Sequence, residues 1–155
     1  MSEKKPIINF IISEKRWKTI SPLLEKEIVL ALEKTSHALN EDFSQSEVSV
    51  VLTTDEEVRT FNKTFRHQDK ATNVLSFPSD EKAELGDIIL AYETVLKEAQ
   101  ELGISTLHHI LHLIIHGFLH LLGYDHEVDH EAEKMESLEI KILQALNIQN
   151  PYEDQ

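Results

Sequence analysis

The chain reads as an α+β fold: one domain, residues 1–155, with a small mixed four-stranded sheet, about five helices and a central buried helix bearing histidines. Three observations lead there. Four short runs rich in β-branched and aromatic residues alternate with segments of helical period. Three helical segments then follow one another with no strand between them. Finally, 155 residues suit a single core, and no internal repeat or linker divides them.

Taken in order, Ile7 to Ile12 is an apolar run between Pro6 and Ser13 and is predicted as the first strand. Ser21 is expected to cap a helix with Pro22 at its first position; Leu24, Ile28, Ala31, Leu32, Thr35 and Leu39 give it one apolar stripe, and Asn40 ends it. Val48 to Thr53 is the second strand. Thr54 and Glu57 form a capping box for a helix with inner face Val58, Phe61 and Phe65 and with Arg66 at its C-terminal end. After the polar turn His67 to Lys70, Val74 to Phe77 is a third strand stopped by Pro78, and Gly86 and Asp87 introduce a fourth, Ile88 to Ala91. A helix from Tyr92 stops at Gly103, and the histidine helix follows at once. The last helix runs from about Asp129 to Asn147, with Ala132, Met135, Leu138, Ile142 and Leu146 inward and its acids outward.

The absence of cysteine excludes disulfides and thiolate ligands, which fits a reducing cytoplasm and leaves histidine and carboxylate as the only strong donors for a metal. Met1 to Ile12 has too short an apolar run for a signal peptide, and Ile104 to Leu122 carries five histidines in 19 residues, a poor membrane span. A soluble cytoplasmic protein is expected. The net charge of −13 argues on its face against a polyanionic partner, although Met1 to Ile20 and Arg59 to Lys70 are locally basic and the acid is concentrated after Glu127.

The chemistry concentrates in His-Gly-Phe-Leu-His-Leu-Leu-Gly-Tyr-Asp-His, His116 to His126. His116 and His120 are four apart, so a helix stacks them on one face where both imidazoles can reach one ion. Gly123 suits a left-handed helix end, after which the chain can turn through Tyr124 and Asp125 and return His126 to the pair. Three imidazoles without a fourth protein donor describe a catalytic zinc site with a position left for water, although three imidazoles also accept Ni²⁺, Co²⁺ or Cu²⁺. The bland alternative, histidines satisfied within a core, suits one such residue better than three at this spacing. The stretch matches the metzincin protease pattern at its histidines and glycine but carries Gly117 where those proteases have their glutamate base. His112 and His108 extend the stripe backwards, yet His112 would lie about 6 Å further along the axis from an ion near the helix end, so a hydrogen-bonding role is expected for it. His109, His67, His37 and His130 read as ordinary polar residues. Asp125 can orient a ligand or merely stabilise the turn.

This histidine stretch resembles the motif of the YbeY family of bacterial rRNA maturation factors and single-strand-specific endoribonucleases. Asn62 to Pro78 is similar to that family's Arg-x-x-Asp-Lys-Pro-Thr-Asp-Val-Leu-Ser-Phe-Pro block, and Leu85-Gly86-Asp87-Ile88 is a third match, all in family order over nearly the whole chain. Ala71 and Asn73 stand where many members have Pro and Asp. The resemblance implies zinc on His116, His120 and His126, and a functional Arg66 whose guanidinium can bind phosphoryl oxygens bidentately. It also implies action on single-stranded RNA, in 3′-end maturation of small-subunit rRNA and in ribosome quality control, with the small subunit and assembly factors as partners and no membrane. Thr72 and Ser76 are expected to belong to the sheet more than to phosphate binding. The rival readings are a metallopeptidase-like hydrolase, weakened by Gly117, and a noncatalytic assembly factor with a structural metal.

Overall fold

A computed structural model describes residues 4–66, 72–81, 83–124 and 129–152, Arg66 through its backbone alone. The elements are β1 (Ile7–Ile12), a 3₁₀ turn at Lys15–Thr19, α1 (Leu24–Leu39), β2 (Glu47–Thr53), α2 (Asp55–Arg66), β3 (Val74–Pro78), β4 (Glu84–Ala91), α3 (Tyr92–Leu102), α4 (Thr106–Leu121) and α5 (Asp129–Ala145). The sheet order is β1-β2-β4-β3, with β1–β2 and β2–β4 parallel and β3–β4 antiparallel. This is the mixed four-stranded α+β architecture that the sequence predicts. A parallel neighbour needs a crossover, and α1 supplies the one between β1 and β2.

Because strand side chains alternate, the sheet has two apolar faces. Val48, Val50 and Leu52 of β2 and Ile88 and Leu90 of β4 share the main core with Ile28 and Leu32 of α1, Ile110, Ile114 and Phe118 of α4, and Met135 and Ile142 of α5. On the opposite face Leu75, Ile89 and Ala91 form a smaller cluster under Val58 and Phe61 of α2. Helix α4 touches α1, α3, α5, β3 and β4, which makes it the central element. Its apolarity is therefore spent inside the fold; among the described residues no single helix is long and apolar enough to cross a membrane.

Several boundaries differ from expectation for identifiable reasons. Helix α1 starts at Leu24, not at Pro22, because Ser21 closes a turn: its hydroxyl accepts from the Leu23 amide at 3.2 Å and its carbonyl from the Leu24 amide at 3.3 Å. Asn40 does end α1, in the left-handed conformation at φ 52°. Only half of the expected capping box exists. Thr54 Oγ1 accepts from the Glu57 amide at 3.2 Å, but the Glu57 carboxylate accepts from Thr53 Oγ1 and from Ser13 Oγ at 3.2 Å, tying α2 to the ends of β1 and β2. Phe65, expected inside, is 63% exposed and instead meets the rings of Phe61 and Phe77 at 6.1 and 5.8 Å. Strand β4 begins at Glu84, four residues before the predicted start, since Gly86 at φ +136° continues the strand through a register shift opposite Glu47 and Val48. A Cβ on Gly86 would lie 2.2 Å from the Phe77 carbonyl oxygen. The 3₁₀ turn has no counterpart in the sequence reading. It buries Trp17, whose Nε1 donates to the Thr53 carbonyl at 2.9 Å while its ring meets Tyr92 edge-on.

Gly117 is where α4 approaches the sheet. A Cβ there would stand 2.9 Å from Ile88 Cγ2 and 3.0 Å from Ser76 Oγ, and that hydroxyl donates to the Gly117 carbonyl at 3.2 Å. Ser76 thus belongs to the sheet, as expected. Gly117→Ala should destabilise the fold by about 1–3 kcal/mol despite the better helix propensity of alanine, because the helix must lift from β3 and β4. Chemical denaturation measures this; an unchanged or raised midpoint would show that the contact has slack.

Candidate active site

Ser105 opens α4 by accepting the His108 amide at 3.2 Å, and the helix then carries His108, His112, His116 and His120 at intervals of one turn. A Schellman motif ends it: the Gly123 amide donates to the His120 carbonyl at 3.0 Å and the Tyr124 amide to the Leu119 carbonyl at 3.1 Å, with Gly123 at φ +98°. The glycine turn expected after His120 is therefore present.

His116 and His120 converge. Their Nε2 atoms are 3.0 Å apart, with ring planes at 80°. The other nitrogen of His116, Nδ1, lies 2.7 Å from Glu139 Oε2 on α5. Glu139 is fully buried. Burial alone would push its carboxyl up, but hydrogen bonds from His112, His116 and Tyr152 outweigh that and bring it down to about 2, so it is a carboxylate at neutral pH. An ionised acceptor at 2.7 Å places the proton of a neutral His116 on Nδ1, and its Nε2 lone pair then aims at His120 Nε2. Two lone pairs cannot face each other at that distance without a proton or a cation between them. The separation is also within a few tenths of an ångström of that between two imidazole nitrogens bonded at about 2.0–2.1 Å to one tetrahedral ion. A histidine that gives its second N–H to a carboxylate is the usual outer support of such a ligand. The residues present thus fit a divalent metal.

His112 takes the other role. Its Nε2 donates to Glu139 Oε1 at 2.8 Å, so it braces the carboxylate instead of facing His116 and His120. The Tyr152 hydroxyl donates to the same oxygen, and burial together with that bond raises the phenol above its ordinary value. Glu139 and Tyr152 are the residues that sequence reasoning missed. The acids of α5 were all expected outward, yet Glu139 follows Met135 by four residues and precedes Ile142 by three, in the middle of the buried stripe, and that position was the available signal. His109, expected to be an ordinary polar residue, is buried and bonded through Nε2 to Glu98 Oε1 at 2.9 Å. His37, His108 and His130 are exposed.

Three proposed site features fall outside the described residues: His126, Asp125 and the Arg66 side chain, as does His67. Among the described residues no group of three His, Asp or Glu side chains gathers to hold an ion, so the structure brings together two of the three expected ligands.

The family model described as Endoribonuclease YbeY matches residues 11–147. The chain belongs to the YbeY family. Among its relatives, an Endoribonuclease YbeY of Rhodopseudomonas palustris strain HaA2 is 40% identical over 97% of this chain and 83% of its own length. Another, from a Chelativorans species, is 47% identical over 84% of this chain and 81% of its own length. The solution structure of TM1509 from Thermotoga maritima superposes with a TM-score of 0.58 at 26% identity, covering 91% of this chain and 92% of that one. The resemblance read from the histidine and Asn62–Pro78 blocks is thereby established at the level of family and fold.

Tyr152→Phe removes one of three donors to a buried carboxylate and should cost about 1.5–3 kcal/mol in unfolding free energy. His37→Phe, on an exposed position of α1, serves as the control and should fall within about 0.5 kcal/mol of the parent. Equal stabilities for Tyr152→Phe and the parent would show that the phenol contributes nothing to holding Glu139.

Proposed function

We propose that this YbeY-family chain is a metal-dependent endoribonuclease that cuts single-stranded RNA, with zinc held by His116, His120 and His126. The observation that carries the reading is the pair of Nε2 atoms 3.0 Å apart with the far nitrogen of His116 anchored on Glu139. The relatives' name, Endoribonuclease YbeY, supports the reaction class. When bound, the ion supplies Lewis acidity toward a phosphate oxygen and acidifies water.

The chain's own groups do the rest. Glu139 keeps the His116 proton on Nδ1 and so keeps Nε2 available as a donor atom. His112 and Tyr152 keep Glu139 in place, so the ligand ring is aligned before any ion arrives. Arg66 is assigned to the phosphoryl oxygens, where negative charge grows during phosphodiester cleavage. A peptidase role is disfavoured at the position after His116, because a glutamate base in place of Gly117 would collide with Ile88 and Ser76. In the cell the proposed substrate is the 3′ region of small-subunit rRNA in the cytoplasm, with the ribosomal subunit and its assembly factors as partners and quality control as a further role.

Metal content and cleavage measured side by side test this. The wild type should hold about one metal per chain and cut a single-stranded RNA carrying a small-subunit 3′ region. His116→Ala should lose metal and activity together. Arg66→Ala should retain the metal and cut on the order of 10²-fold more slowly, since the guanidinium acts on the transition state. A chelated, metal-free wild type that cuts as fast as the loaded form would overturn the catalytic metal, and an Arg66→Ala variant with full activity would return that residue to a structural role.

A further inference from the structure

A groove of about 410 Å³ opens beside the site, with His116 in its lining. Val74, Leu102 and Leu113 give it apolar walls, and Leu102 is 57% exposed although it is a large aliphatic residue. Its polar part is ordered. Glu98 Oε1 accepts from Asn73 Nδ2 at 3.0 Å and from His109 Nε2 at 2.9 Å. The side chain of His109 is only 7% exposed and its buried Nδ1 has no hydrogen-bond partner among the described residues, so the proton of the neutral ring sits on Nε2 and points at Glu98. Asn73 matters here as well: its amide donates to Glu98, which an aspartate in its place could not do. Both donors fall on one oxygen. No described residue hydrogen-bonds Oε2, and Glu98 lines the groove with a third of its side chain exposed.

The groove therefore sets apolar walls beside one held acceptor that no described residue hydrogen-bonds. Glu98 and Glu101 also make it repel phosphate. In a strand whose phosphate lies at His116 and His120, the part that fits is a base, and the base atoms that fit a lone carboxylate oxygen are those of an exocyclic amino group. We propose that this groove is the subsite for an unpaired base next to the scissile phosphate, read by Glu98 through the amino group that cytosine, adenine and guanine carry and uracil lacks. The only ring N–H on the pairing edge of uracil is flanked by two carbonyl oxygens, which oppose the carboxylate. The inference rests on the RNA-cleaving reading and adds its specificity. It also gives a physical origin for single-strand preference: a base that presents its pairing edge to Glu98 has no edge left for a complementary strand.

The test uses the full chain and fluorescein-labelled oligocytidylate and oligouridylate. Binding is followed by anisotropy with chelator present to stop cleavage, and cleavage of the same oligomers is followed in the metal-loaded protein. The wild type should bind the cytidine oligomer about tenfold more tightly than the uridine oligomer. Glu98→Gln can keep its carbonyl on Asn73 and His109 while presenting an amide N–H in place of Oε2, so the preference should vanish or invert through KM. Leu102→Ala, at an exposed position that leaves folding intact, should weaken binding of both oligomers. Equal binding of the two by the wild type, a preference unchanged in Glu98→Gln, or unaltered binding in Leu102→Ala would each overturn the subsite. A Glu98-dependent preference in binding without cleavage by the loaded wild type would leave the subsite standing and remove the nuclease reading.

Discussion

A carboxylate with no access to water has to be matched by donors in the right places, and in this fold that constraint is Glu139. Both of its oxygens are used: Oε2 by His116, Oε1 by His112 and Tyr152. Losing one partner would leave a buried charge incompletely compensated, which costs far more than an exposed ion pair returns. The arrangement therefore locks three parts of the chain together. It fixes the register of α5 against α4, seats the segment after α5 on the same carboxylate, and selects opposite nitrogens of two histidines one turn apart. His112 spends Nε2 on Glu139, whereas His116 spends Nδ1 and turns Nε2 toward His120. A uniform histidine stripe is thereby divided into a residue that braces Glu139 and a pair whose Nε2 atoms face each other.

The helix that carries these rings is held as tightly from its other side. Gly117 lets α4 descend onto β3 and β4 until a methyl group would no longer fit, and Ser76 hydrogen-bonds the helix backbone at that point. The same glycine that removes the protease base from the motif is thus required by packing. The absence of a glutamate there has a structural cause as well as a chemical consequence.

The sequence made the sheet, the helix count and the histidine pair legible because each depends on a local pattern: the alternation in β2, the short apolar run Ile88 to Ala91 of β4, and the four-residue spacing of His116 and His120. What escaped depends on contacts distant in sequence. Glu139 is one of many acids on α5, and only its place between Met135 and Ile142 sets it apart; its partners are 23 and 27 residues away. Trp17 lies in a segment without periodicity and is buried because Thr53 and Tyr92 meet it. Gly86 looked like a strand opener because a glycine inside a strand needs a bulge to justify it, and the bulge is set by β2. The net charge of −13 pointed away from nucleic acid, while the family is one of endoribonucleases. Total charge averages an acidic C-terminal region with two basic segments, and it says nothing about which side chains a substrate meets.

The central claim is that Glu139 sets the proton of His116 so that the Nε2 atoms of His116 and His120, and not that of His112, are the ones proposed to take one ion. Nitrogen-15 NMR of the histidine side chains reads this directly, residue by residue, before and during titration with Zn²⁺. His116 should appear as the Nδ1–H tautomer in the metal-free chain, and the Nε2 resonances of His116 and His120 should move together to metal-bound values while that of His112 stays protonated. An Nε2–H tautomer at His116, or a metal-bound shift on His112 in place of His120, would contradict the account.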